Sequence, residues 1–274
     1  MSAAFAEIAA LVRARAGIVL TEDKGYMLDT RLGSVLRRHG LADLDALAAR
    51  LRAPLSGPLA TEVTEALTTN ESSFFRDGRP FEHLRSALPK LAAARPAGQR
   101  LRLWSAACST GQEAYSAAMI LRGLAPLLGG RGAEILGTDL SREVVARARE
   151  GLFTQFEVQR GLPVQMLVQH FRQEGGRWRI SAPLREMTRF EVGNLLDDQR
   201  GRGTFDVIFC RNVLIYFDPP TKRRVLEMLA DRLAPDGVLY LGGAETVLGL
   251  GTRLVPVPGE RGPHVLASSL SLAG

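Results

Sequence analysis

Leu101-Arg102-Leu103-Trp104-Ser105-Ala106-Ala107-Cys108-Ser109-Thr110-Gly111-Gln112-Glu113-Ala114-Tyr115 is a strand, a tight loop and a helix in succession. Leu101, Leu103 and Trp104 are apolar enough for a buried strand, Ser105 to Gly111 are all small, and good helix formers run from Gln112 to Leu121. In open α/β sheets such a junction binds nucleotide-like ligands, because small side chains let backbone N–H groups approach and a helix N-terminus lies beside them. The dinucleotide fingerprint G-x-G-x-x-G is missing, since the loop has only Gly111, which argues against a nicotinamide cofactor. The same residues would also fill an ordinary strand-to-helix turn, so the loop alone leaves both readings open.

The next apolar run, Ala133-Glu134-Ile135-Leu136-Gly137-Thr138-Asp139, ends in an acid. A carboxylate at the tip of the second strand of a βαβ unit accepts hydrogen bonds from both ribose hydroxyls, which makes Asp139 the candidate ribose ligand. Its competing role is to cap the helix opened by Asp139-Leu140-Ser141-Arg142-Glu143, although Ser141 is placed to cap that helix instead.

Outward from these two strands, helical and strand patterns alternate from residue 100 onward, the mark of a mostly parallel sheet with helices on both faces. Strands are expected at 100–106, 133–139, 188–193, 205–211 and 237–243, with Pro235-Asp236-Gly237 as a turn feeding the last. Two short runs, Leu254 to Val257 and His264 to Ser268, are joined by a loop short enough to permit only an antiparallel pair. Such a seven-stranded, Rossmann-like sheet closed by an antiparallel hairpin resembles the methyltransferase fold. Between about 152 and 187 the alternation breaks. Phe171 to Ile180 reads as a hairpin with Gly175-Gly176 at its turn, so a small antiparallel β insertion is expected there.

Before residue 100 only helices are expected. Phe5, Ile8, Leu11 and Val12 keep helical spacing, as do Leu28, Leu32, Val35 and Leu36, and then Leu44, Leu47, Ala48 and Leu51. The second of these helices carries Arg31, Arg37 and Arg38, with Arg31 and Arg38 sharing a face. They form either a solvated face that complements the helix dipole or a docking surface for an acidic partner. The expected organisation is a small all-α N-terminal domain at 1–75, a linker and connecting helix at 76–99, and an α/β domain at 100–274 carrying the insertion at about 152–187.

Composition narrows the function further. No run has the 18 or more uncharged apolar residues of a membrane span, and no signal peptide opens the chain, so a cytoplasmic protein without membrane insertion is expected. Two distant cysteines, Cys108 and Cys210, and four scattered His residues offer no metal site and suggest reduced thiols. Those thiols are either shielded by a bound ligand or inert core fillers. The net charge of +6 favours an acidic partner, yet the arginines are dispersed and no aromatic residues interleave with them, so nucleic acid is not the expected one.

Several stretches together resemble the CheR family of chemotaxis-receptor methyltransferases: Thr69-Asn70-Glu71-Ser72-Ser73-Phe74-Phe75-Arg76, Leu103 to Ser116, Gly137-Thr138-Asp139, Asn194-Leu195-Leu196-Asp197, and Phe205 to Phe217. They occur in family order over nearly the whole chain. The resemblance implies transfer of a methyl group from S-adenosyl-L-methionine, leaving S-adenosyl-L-homocysteine, to glutamates on the cytoplasmic helices of methyl-accepting receptors; a monomer is expected, though the sequence itself names no oligomeric state. It also implies that Asn70, Ser72, Arg76, Glu113, Asp139, Asn194, Leu195, Arg211 and Asn212 contact the cofactor, with Arg76 and Tyr216 bordering the reacting methyl. Ser72, Cys108 and Gln112 stand where the family often has Thr, Ala or Gly, and Glu; size and polarity are kept. Family members that grip a receptor's C-terminal pentapeptide have a longer glycine-rich loop in the insertion than Gln173-Glu174-Gly175-Gly176, so recognition without that tether is expected here. A nucleic-acid methyltransferase and a non-catalytic cofactor-sensing adaptor are the alternatives.

Overall fold

A computed structural model describes residues 2–53 and 56–271. The chain forms two compact units, one of Met1–Thr69 with Tyr216–Thr221, the other of Asn70–Ile215 with Lys222–Gly274.

The smaller unit is helical: α1 (Ala3–Ala16), α2 (Gly25–His39), α3 (Leu44–Leu51) and α4 (Gly57–Ala66). Ser2 caps α1 by accepting the Phe5 N–H, and Gly17 ends it in the left-handed conformation. The apolar faces of these helices meet in one core built on Ile8, Val12, Leu28, Leu32, Leu47 and Val63. That burial holds helices too short to persist alone. The returning segment joins this unit through Val19 N–H donating to the Tyr216 carbonyl at 2.8 Å and an Arg13–Asp218 ion pair at 2.5 Å.

The larger unit begins with α5 (Arg79–Ala93) and continues through β1 (Leu101–Ala106), α6 (Gln112–Gly123), β2 (Ala133–Asp139) and α7 (Arg142–Glu150). An insertion follows: β3 (Leu152–Phe153), α8 (Gln155–Gln159), α9 (Val164–His170), β4 (Phe171–Glu174), β5 (Arg177–Ile180) and α10 (Ala182–Glu186). Then come β6 (Thr188–Val192), β7 (Phe205–Cys210), α11 (Pro219–Arg232), β8 (Leu233–Leu241), β9 (Leu254–Pro256), β10 (Pro263–Leu266) and α12 (Ala267–Ser271). The seven-stranded sheet has the order β6-β2-β1-β7-β8-β10-β9, parallel except for β10, which runs antiparallel to both β8 and β9. Leu101 and Leu103 of β1 share a core with Phe81, Leu84 and Leu88 of α5 and with Ala117 and Met119 of α6. Trp104, of opposite parity on β1, is fully buried with its Nε1–H on Thr138 Oγ1 at 2.9 Å. Among the described residues no helix is long and apolar enough to cross a membrane.

Three local expectations are corrected. The backbone does not turn at Pro235-Asp236-Gly237: β8 runs from Leu233, and a bulge opposite Phe205–Val207 absorbs the extra residues. Arg95 holds that bulge by pairing with Asp206 at 2.5 Å and Asp236 at 2.6 Å. The last strand stops at Leu266, where α12 begins. The insertion is also not purely β, because three short helices flank its three-stranded sheet of order β3-β5-β4. The hairpin inside it is as read, with Gly175 and Gly176 both at positive φ, the geometry of a two-residue turn that matches strand twist.

Candidate functional site

The strand order reverses at β1, with β2 on one side and β7 on the other, so the crevice at the C-terminal ends of these strands is the expected ligand position. A cleft opens there, and Ser72, Arg76, Cys108, Glu113, Arg211 and Asn212 all line it. These residues come from three segments: the connector before α5, the β1–α6 junction and the end of β7. The structure brings five of the sequence candidates to this one cleft.

The loop after β1 reaches it by an unusual backbone path. Ala107, Ser109 and Gly111 all have positive φ, so left-handed residues alternate along it. Glycine is needed at 111, where φ is 92° and a Cβ would stand 3.1 Å from the Phe190 ring. Phe75, Asp77 and Asn212 also have positive φ. Thus all five non-glycine residues of this kind among the described residues lie on the loops that form the cleft. Such strain persists only where the surrounding structure over-determines it, and it concentrates at functional sites.

Glu113, in the first turn of α6, accepts from Ser105 Oγ–H at 2.8 Å and from Arg211 Nη1 at 3.0 Å. Burial pushes its carboxyl above the ordinary value, against the pull of Arg211 and Ser105. Arg211 also donates from Nη2 to Asp77 Oδ2 at 2.7 Å and to the Arg76 carbonyl at 2.8 Å. Asp77 thus pairs with Arg211 and not with its chain neighbour Arg76, whose Nη1 donates to the Glu71 carbonyl at 3.1 Å.

Asp139 is buried at the tip of β2, where Oδ2 accepts the Ser109 N–H at 2.8 Å and Oδ1 the Ser141 N–H at 3.0 Å. Ser141 is the N-cap of α7, so capping that helix is not the role of Asp139. Ser109 Oγ–H in turn donates to the Asn70 carbonyl at 2.7 Å, tying the connector to the β1 loop. Asn194 and Leu195 follow β6, beside β2, and the Gly193 N–H donates to the Asp139 carbonyl at 2.9 Å. They extend the row of strand ends but do not line the same cleft. Tyr216 and the arginines of α2 belong to the helical unit. There Arg31 donates to the carbonyls of Leu67 at 3.1 Å and Thr68 at 2.8 Å, Arg38 pairs with Glu62, and Arg37 is exposed.

Both thiols are buried, Cys108 beside the cleft and Cys210 at the end of β7. Burial pushes both well above their ordinary value, and the negative charges of Asp139 and Glu113 add to this at Cys108. Both features disfavour the reactive thiolate in the protein without ligand.

S-adenosylmethionine combines an ammonium, a carboxylate, a sulfonium and a ribose diol, and the donor set here matches that mixture. Glu113 and Asp139 supply anionic acceptors, Arg76 and Arg211 supply cations, and Arg211 Nε is a buried donor without a hydrogen-bond partner. The residues fit the cofactor.

Comparisons with known proteins agree. Residues 70–261 match the family model described as the CheR methyltransferase SAM binding domain, and residues 3–68 match its all-alpha domain. The chain is 39% identical over 239 residues to the chemotaxis protein methyltransferase Cher2 of Pseudomonas putida, covering 85% of this chain and 86% of that one. It is 40% identical over 236 residues to chemotaxis protein methyltransferase 1 of Pseudomonas aeruginosa, covering 84% and 85%. With the chemotaxis protein methyltransferase of Escherichia coli it shares 36% identity over 247 residues, covering 88% and 83%. The chain belongs to the CheR methyltransferase family and is an S-adenosylmethionine-dependent methyltransferase.

Proposed function

We propose that this enzyme methylates glutamate side chains on the cytoplasmic helices of chemotaxis receptors, giving γ-glutamyl methyl esters. The observation that carries the reading is the shared cleft of Glu113, Arg211 and Arg76 in a chain whose relatives are named chemotaxis protein methyltransferases. When bound, S-adenosylmethionine supplies a methyl group on a sulfonium, an electrophile that needs no further activation. Glu113 meets its amino-acid end, Asp139 accepts from its ribose hydroxyls, and Asn194, Leu195, Arg211 and Asn212 frame the adenosine. Asn70 and Ser72 approach from the connector.

A receptor glutamate is ionised near neutral pH, so no residue here has to remove a proton from it. Arg76 orients the carboxylate. Alignment of this kind is worth on the order of 7–11 kcal/mol in intramolecular reactions. Opposite charges on nucleophile and sulfonium cancel as the ester forms, so residues that exclude water from the cleft favour the reaction.

The exposed arginines of α2 dock the acidic receptor surface, and the enzyme works as a monomer without a receptor tail tether. The two-residue turn at Gly175-Gly176 supports the last point. One observation favours the opposite: β4 is an outer strand of the inserted sheet, open in principle to strand addition. Titration with a receptor tail pentapeptide separates these, since saturable micromolar binding restores the tether. For the reaction itself, methyl-labelled cofactor is incubated with a receptor cytoplasmic fragment. Label released as methanol by mild alkali, and absent when the receptor glutamates are replaced by alanine, is the expected result. Alkali-stable label would end the ester reading.

A further inference from the structure

Glu245 lies in the loop after β8, outside the stretches that carry the family resemblance. Its carboxylate takes four hydrogen bonds, all from backbone N–H groups. Oε1 accepts from Val213 at 2.9 Å and Leu214 at 2.7 Å, and Oε2 from Asn212 at 2.9 Å and Gly242 at 2.6 Å. Three of the donors are successive residues of the loop after β7. A carboxylate bonded in this way anchors a backbone as an anion anchors a nest of peptide dipoles, with charge-assisted bonds about twice as strong as neutral ones.

The backbone it anchors is a costly one, because Asn212 has φ 60°. Gly242 adds a constraint of a different kind. A Cβ there would stand 2.8 Å from Glu245 Oε2, 2.9 Å from Asn212 N and 2.9 Å from Asn212 Nδ2. Only glycine leaves room for the carboxylate to meet the Asn212 amide. Two residues distant in sequence from Asn212 thus fix its position, one by bonding and one by leaving space.

We propose that Glu245 is a positioning residue of the methyltransferase site: by drawing the Asn212–Leu214 amides against Gly242 it sets the backbone from which Arg211 and Asn212 face the cofactor. The inference rests on the cofactor role proposed above for those two residues, and Glu245 acts through them.

Calorimetric titration with S-adenosylhomocysteine tests it. Glu245→Gln keeps length and shape but turns one acceptor oxygen into an amide that opposes N–H donors. The variant is expected to bind about tenfold more weakly, roughly 1.4 kcal/mol. In turnover its KM for S-adenosylmethionine rises while kcat stays within about twofold, a split that a general loss of folded protein does not give. Gly242→Ala, acting on the same contact from the other side, produces a similar loss, and the double variant is no more than about twofold worse than the weaker single one. Binding by Glu245→Gln within about twofold of wild type overturns the proposal, and if that variant does not fold, Gly242→Ala decides by the same bound. Asn212→Ala separates this inference from the reading beneath it. Loss there with none in Glu245→Gln removes the positioning role and leaves the cofactor site standing; no loss in either variant removes the positioning role and the Asn212 assignment together.

Discussion

Arg211 and Glu113 form a 3.0 Å ion pair that is almost wholly buried, with side-chain exposures of 2% and 12%. Removing one member of such a pair leaves the other charge desolvated, which is the expensive case. The folded chain holds Glu113 above its ordinary 4.5, so as pH falls it takes up a proton before the unfolded chain does. Its contribution to stability is therefore full below about 4.5 and is lost as pH rises through the raised value. Arg211→Ala is predicted to cost about 3–5 kcal/mol at about pH 8 and clearly less at about pH 5, where Glu113 is more readily neutral. Urea unfolding at both pH values checks this, and equal costs would show that Glu113 is not the group concerned.

Asp139→Ala is predicted to weaken S-adenosylhomocysteine binding by about 1–3 kcal/mol, because ribose hydroxyls lose a charged acceptor. It also leaves the Ser109 N–H without its bond, so the protein without ligand loses stability as well. Calorimetry and urea unfolding read the two effects apart. Binding within about twofold of wild type would show that the ribose assignment is wrong.

The thiols give a kinetic prediction. Cys108 is 1% exposed and Cys210 0%, so a thiol reagent should label both slowly whether or not S-adenosylhomocysteine is bound. Rapid labelling that the ligand suppresses would restore the shielding idea.

On α2, Arg31 and Arg38 have work inside the helical unit, whereas Arg37 is exposed. Arg37→Glu is predicted to lower receptor methylation severalfold at low salt without changing cofactor affinity or thermal midpoint. Arg31→Ala is predicted to cost about 1–2 kcal/mol of stability by exposing two helix-end carbonyls. An unchanged methylation rate for Arg37→Glu at low salt would mean that this face is only solvated.

The sheet was legible because its central strands are continuous apolar runs, and Asp139 because a strand tip is a position that sequence can locate. Helices α8 and α9 were not, since five and seven residues are too few to show a period. The strand reading failed at Pro235 because a bulge and a turn use the same residues, and only the Arg95 pairing with Asp206 and Asp236 distinguishes them. The partner of Asp77 and the role of Glu245 were not legible for a related reason. Each side chain acts on a loop far away in sequence, and no local pattern predicts which amide or guanidinium a carboxylate will meet.

The left-handed residues around the cleft have a consequence for anyone who wants a hardier enzyme. Replacing Ala107, Ser109 or Asn212 by glycine relieves a backbone penalty on the order of 1 kcal/mol, so a screen for heat resistance is drawn toward these positions. The same replacements loosen the loops that hold the cofactor. Selection for endurance alone would thus erode catalysis first, and durable variants are better sought in the helical unit or on the far ends of the strands.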